Sequence, residues 1–154
     1  MGDVPAGVPV IRDAHAAELE AATLYRILQL RVDVFVVEQD CAYAELDGRD
    51  LEPSTRLVWA ERDGQVLATL RVLIESDGSP RIGRIATAAS ARGGGLAAAL
   101  ITHALAMVGD RDVVLHAQSH LTEWYEHFGF RVSGAGHVED GIPHTPMHRA
   151  ASRS

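Results

Sequence analysis

The stretch Arg81–Met107 constrains this chain more than any other. The apolar-rich run Arg81-Ile82-Gly83-Arg84-Ile85-Ala86-Thr87 reads as a strand. The linker Ala88-Ala89-Ser90-Ala91 is all small residues. Arg92-Gly93-Gly94-Gly95 then leads into Leu96-Ala97 and a helix-forming run that closes at Met107. In that order, a helix start offers unpaired N–H groups and the positive end of a dipole behind a backbone bare of side chains. Such a junction is either a plain turn or a cradle that a phosphate approaches closely, with Arg92 as an added cation. Two familiar phosphate loops do not fit. There is no Gly-Lys-Ser/Thr, which excludes a Walker loop. Gly93-x-Gly95-x-x-Ala98 imitates a dinucleotide fingerprint, but it is displaced from the end of its strand, and 154 residues hardly hold two βαβ halves.

That length predicts a single domain over residues 1–154, with 1–7 as a loose tail. A net charge of -7 argues against a general nucleic-acid binder. All 14 basic residues are arginine, so self-acetylation on lysine is ruled out. Cys41 is the only cysteine, which excludes an internal disulfide and fits a reducing, cytoplasmic setting. No apolar run approaches the roughly 18 residues of a membrane span, and Met1–Pro5 lacks a signal-peptide pattern.

Taken in order, Val8–Asp13 reads as a short first strand. Thr23 is a candidate cap for an amphipathic helix carrying Leu24, Ile27, Leu28, Leu30, Val34 and Phe35 and ending near Glu38. Its tail, with Val32, Val34, Val36 and Val37, is poor helix composition and predicts either deep packing or an irregular segment. From Glu38 to Glu52 the chain is acidic: either a solvated loop or a rim that attracts a cationic amine. Leu57–Arg62, Asp63-Gly64, Val66–Glu75, a second turn at Asp77–Pro80 and Arg81–Thr87 form an antiparallel meander. Val113–Ala117, entered through a helix, must run parallel to 81–87. Leu121–Phe128 reads as a short helix stopped by Gly129. Residues 134–143 read as irregular, and His144–His148 as a last strand.

Arg92-Gly93-Gly94-Gly95-Leu96-Ala97 resembles the acetyl-CoA pyrophosphate loop of the GNAT N-acetyltransferases, and Tyr125-Glu126-His127-Phe128-Gly129-Phe130 resembles their Tyr-x-x-x-Gly-Phe signature. Further blocks are similar to the ElaA-like branch: Leu24-Tyr25, Leu28-Gln29-Leu30-Arg31, Val34–Gln39, Tyr43–Gly48, Ala117–Leu121, and Glu139–His144 with Met147. The resemblance implies an α/β (α+β) GNAT fold: a mixed, mostly antiparallel sheet of six or seven strands with a central splay, flanked by about four helices. It implies acetyl-CoA as donor, bound by Ile85, Ala86 and Thr87 on the strand, by Arg92, Gly93, Gly94, Gly95, Leu96 and Ala97 in the loop, and by Gln118 and Tyr125. It also implies a primary amine acceptor of a small molecule or peptide and, from superfamily habit, a homodimer. Ala97 stands where glycine is common, a tolerated change.

The chemistry asks for a polarised thioester carbonyl, a base for the amine and an acid for the departing thiolate. Tyr125 is the expected acid. Glu139 is the first candidate for base, with His120 and Glu38 behind it. The rival class is a sensor or interaction module that holds acetyl-CoA without transfer. No metal is expected: His116 and His120 straddle a strand–helix boundary, and His144 and His148 would stand about 13 Å apart on one strand. Cys41 sits in an acidic stretch, which disfavours a thiolate nucleophile.

Overall fold

Burial along the strands shows how the sheet is covered. The strand Gln65–Ile74 is buried without a break from Leu67 to Leu73, so helices cover both of its faces, whereas Val113–Gln118 alternates and is covered on one face only. The computed structural model describes residues 7–151. Its strands are β1 (Val10–Ala14), β2 (Arg56–Arg62), β3 (Gln65–Ile74), β4 (Pro80–Thr87), β5 (Val113–Gln118), β6 (Arg131–Val132), β7 (His137–Glu139) and β8 (Ile142–Arg149). They form one mixed sheet in the order β1-β2-β3-β4-β5-β8-β6, with β7 also paired to β8. Every pairing is antiparallel except β4 with β5. The expected mixed, mostly antiparallel GNAT sheet is present, with eight strands rather than six or seven.

The helices are α1 (Ala21–Val32), α2 (Leu96–Val108) and α3 (Thr122–Glu126), three against the four expected. α2 buries Leu100, Ile101, Ala104 and Val108, a helical spacing, against Val58, Leu70, Val72 and Ile82. Complete burial of Leu100 or Ile101 is worth about 1.5–3 kcal/mol each. The same core takes in Leu115, Tyr125, Phe130 and Met147. α1 covers the other face: Ile27 packs with Leu57 and Trp59, and Leu30 and Val34 pack with Ala86. Thr23 does not cap α1. The helix begins three residues earlier than a Thr23 cap would start it, at Ala21 with Glu20 at the cap position, and Thr23 lies inside the first turn. The β-branched tail does depart from α geometry. Asp33–Glu38 is a π-helix, with Gln39 N–H donating to the Val34 carbonyl (3.2 Å) and Cys41 N–H to that of Val36 (3.1 Å).

The segment 134–143, expected to be irregular, contains β7 and turns into β8 through Asp140 (φ 50°) and Gly141 (φ 79°). These are the left-handed positions of a two-residue hairpin turn. The expected tail 1–7 lies outside the described residues apart from Gly7. Among the described residues, no helix is long and apolar enough to cross a membrane.

Candidate active site

The site opens where the sheet parts. β4 and β5 run parallel but share only one registered pair, Arg81 with Val114. A bulge in β4 bends the strand at the same place. Thr69 faces Ala86 and Arg71 faces Gly83, so Leu70 alone stands opposite both Arg84 and Ile85. Arg84 takes the left-handed conformation (φ 53°), a strained one for a side-chain-bearing residue. A cavity of about 1110 Å³ fills the parting and continues toward the π-turn of the first helix.

The expected donor-binding residues surround one end of it. Ile85, Ala86 and Thr87 line it from β4, Gln118 from the end of β5, and Arg92 and Ala97 from the glycine turn. Gly93 (φ 85°) and Gly95 (φ 80°) are left-handed, and a Cβ at either would point into open space. That bare backbone is where a diphosphate would lie. Gly95 is the cap residue of α2, and neither a side-chain cap nor an acidic residue in the first turn competes for the helix N–H groups. Leu96 turns its side chain into the main core, so only its backbone serves the turn. Arg92 is engaged within the protein: its Nη2 pairs with Glu38 (2.7 Å) and its Nε donates to the Thr87 carbonyl (3.1 Å).

Tyr125 reaches the same cavity from α3, packed edge-on against Trp124 and Phe130. Burial pushes its phenol up to about 12. On sequence, a phenol near 10 is a close match to a leaving thiol at about 8.5. The structure makes Tyr125 a weaker acid than that. A thiol entering the same dry pocket is pushed up by the same cause, which narrows the gap again.

The far end of the cavity is built from side chains of distant segments. The loop 43–50 is pinned by arginines. Arg31 of α1, 1% exposed, donates from Nε to Glu45 Oε2 (2.7 Å) and pairs with Asp50; Arg71 of β3 holds Asp47 through both Nη atoms (2.9 and 2.7 Å). Arg84 Nε lies 2.9 Å from Glu45 Oε2, and the Tyr43 hydroxyl donates to the same carboxylate. Glu52 pairs with Arg49. The acidic run is therefore no open rim. Its charge is largely neutralised inside the protein, and the carboxylates left facing the cavity beyond it are Glu139 and Asp140.

Glu139 and His120 both line the cavity, while Glu38 is tied to Arg92. Glu139 is ringed by histidines: Oε1 is 3.3 Å from His116 Nδ1 and from His137 Nε2, and Oε2 is 3.4 Å from His144 Nδ1. Burial raises its pKa, but hydrogen bonds from His116 and His137 and the charge of His144 outweigh it, so the carboxyl is held below its usual value. His116 does not meet His120, as the sequence predicted, but it does meet His137. Sequence reasoning gave no role to His137 or to the arginines at 31, 71 and 84, Arg31 entering only as part of a block that carries the resemblance. The signal for His137 was present in Asp140-Gly141, a hairpin dipeptide that pairs 137–139 with 142–144. No local signal marks the arginines.

A mixed sheet parts at its one parallel junction, with a glycine turn and an uncapped helix start beside the parting. The chain belongs to the GNAT family: the model for the acetyltransferase (GNAT) domain matches residues 20–151. A UPF0039 protein of Mycobacterium tuberculosis is 48% identical, the match covering 92% of this chain and 94% of the relative. The crystal structure of an acyl-CoA N-acyltransferase from Pseudomonas aeruginosa superposes with a TM-score of 0.89 at 42% identity, covering 93% of this chain and 100% of that one. Escherichia coli ElaA superposes with a TM-score of 0.87 at 35% identity, covering 92% and 99%. The expected ElaA-like membership is thereby borne out, and the chain is an N-acetyltransferase.

Proposed function

We propose that this protein transfers acetyl from acetyl-CoA to the primary amine of a small molecule or peptide, by direct attack while both substrates are bound, in the cytoplasm. The observation that carries the reading is the parting of β4 from β5, which ends on the uncapped start of α2. When bound, the donor supplies an activated acyl group as its thioester. The chain's own groups do the rest. N–H groups of the Gly93–Ala97 turn bind the diphosphate. The edge of β4 beyond Arg81, with no strand beside it, aligns the pantetheine arm through Ile85–Thr87, and a backbone N–H there polarises the acyl carbonyl. Tyr125 gives its hydroxyl proton to the departing sulfur. Glu139, ionised at neutral pH, takes the proton that the attacking amine must lose. Holding both reactants in one cavity supplies the proximity.

The case for a cationic acceptor rests on Glu139 and Asp140 alone, since arginines neutralise the 38–52 run. Thiol release from acetyl-CoA across a panel of cationic, neutral and anionic amines tests the whole reading. We expect turnover with amines, cationic ones ahead. Tight acetyl-CoA binding with no thiol release from any amine would instead identify a sensor. A panel led by anionic amines would refute the acceptor charge.

A further inference from the structure

Strand register gathers three histidines and a carboxylate on one face of the sheet. His116 of β5 stands opposite Pro146 of β8, and His144 lies two residues back along β8 on the same face. His137 of β7 stands opposite His144, and Glu139 follows it by two. This is the side that α3 leaves uncovered, because the buried residues of β5, Val113, Leu115 and Ala117, alternate with the ones used here. Three of these side chains, His116, Glu139 and His144, line the cavity, and His137 meets Glu139 and His116 beside it.

We propose that His116, His137 and Glu139 bind a divalent transition-metal ion of the zinc class, with His144 orienting the carboxylate. One donor atom from each of the three lies within 4.8 Å of the other two. Each of the two nitrogen–oxygen separations is 3.3 Å. Donors about 2.0–2.1 Å from zinc at the tetrahedral angle stand about 3.3 Å apart, so both edges already have the right length. The remaining edge, between the histidines, closes by small ring rotations, for which their exposed positions leave room: the side chains are 32% and 38% exposed. The rings already meet edge-on, with centroids 5.0 Å apart.

Two imidazoles and a carboxylate suit zinc, cobalt or nickel rather than calcium or magnesium, which prefer all-oxygen shells. His144 supplies the outer support such sites need. Its Nδ1 contacts the Ile142 carbonyl (2.8 Å) and lies 3.4 Å from Glu139 Oε2, fixing both ring and carboxylate. Three protein ligands leave a coordination position open, and two of them, His116 and Glu139, line the cavity. Glu139 serves as base only in the metal-free chain: an ion bound here occupies its carboxylate and competes with the acceptor, so binding is read with metal alone, apart from acyl transfer.

Titrating the full, tag-free chain with Co²⁺ tests this by absorption, and titration calorimetry with Zn²⁺ gives the stoichiometry. We expect one ion per chain, visible bands of four- or five-coordinate cobalt, and their loss when Zn²⁺ is added. His137→Ala and Glu139→Gln should each weaken binding at least about 100-fold, and His144→Ala about tenfold, as removal of an outer-shell partner does. His148→Ala, whose ring faces Asp112 instead, should bind as wild type. Circular dichroism of each variant shows that it is folded. An absence of cobalt bands in the wild-type chain, or bands that survive both ligand variants, would overturn the site and leave the cluster a hydrogen-bonded network around Glu139.

Discussion

The two ends of the cavity are built on opposite plans. On the reading proposed above, the donor end comes mainly from one contiguous stretch, β4 through the start of α2, and would work through backbone groups left bare by Gly93 and Gly95. The acceptor end is assembled from the π-turn after α1, the 43–50 loop, β3, β4 and the β7–β8 hairpin, and works through side chains. A ligand common to a whole family can be held by main-chain donors, which ask only for small residues at fixed places. A ligand particular to one enzyme must be read by side chains, and those must in turn be held still. Here Arg31, Arg71 and Arg84 do so by pinning the 43–50 loop.

Gly95→Val strikes the backbone plan hardest. A β-branched residue resists φ 80°, and any side chain that stays there projects into the space left for the diphosphate. Two lost hydrogen bonds to a charged group, at about 1.5–3 kcal/mol each, amount to on the order of 10³-fold in the Kd for acetyl-CoA. Calorimetry measures it directly. Unchanged binding would mean that the diphosphate is held elsewhere and that the donor end does not run on its backbone.

Arg31→Met is the matching blow at the acceptor end. It leaves Glu45 and Asp50 buried with only their second arginines, Arg84 and Arg71. Breaking a buried ion pair from one side costs about 3–5 kcal/mol, and with those second partners still in place the lower figure, about 3 kcal/mol in denaturant unfolding, is expected. A change below about 1 kcal/mol would show that packing rather than charge holds the loop.

This difference also explains what the sequence could reveal. The strand, glycine turn and helix at 81–107 were legible because every residue they need is local. The β2–β3 hairpin was legible through Asp63-Gly64. α1 was found but started too late, since Thr23 is the usual type of cap and Glu20 is not. The valine-rich tail gave away its irregularity without revealing a π-helix. The acidic run looked like a surface because nothing within it names the arginines at 31, 71 and 84 that fold onto it. His137 belongs to a hairpin whose Asp140-Gly141 turn could have been read but was hidden among other glycines.

Tyr125→Phe tests whether one side chain at the meeting of the two ends does chemistry. The ring keeps its packing against Trp124 and Phe130, and only the hydroxyl goes. With the phenol pushed up to about 12, the lost proton transfer should sit at the low end of the usual range, on the order of 10²-fold in kcat, with acetyl-CoA affinity nearly unchanged. A wild-type kcat would make Tyr125 a core aromatic and leave the thiolate to water.

The smallest effect separates the two plans by pH. Backbone donors do not titrate, but Asp47 does. The hydrogen bonds from Arg71 hold its carboxyl well below the usual range, against the opposing pull of partial burial. Its folded pKa is therefore lower than its unfolded one, near 3.9. The stability it adds is complete above that value and is lost as pH falls through it, because the unfolded chain then takes up a proton that the folded one refuses. Asp47→Asn should cost about 1 kcal/mol at pH 7, modest because Asp47 is partly exposed and Arg71 keeps Asp50 at 3.4 Å. Near pH 3 the gap between wild type and variant should shrink, as urea unfolding at the two pH values will measure. A gap that stays constant or widens on acidification would mean that the charge of Asp47 contributes nothing to holding the acceptor loop.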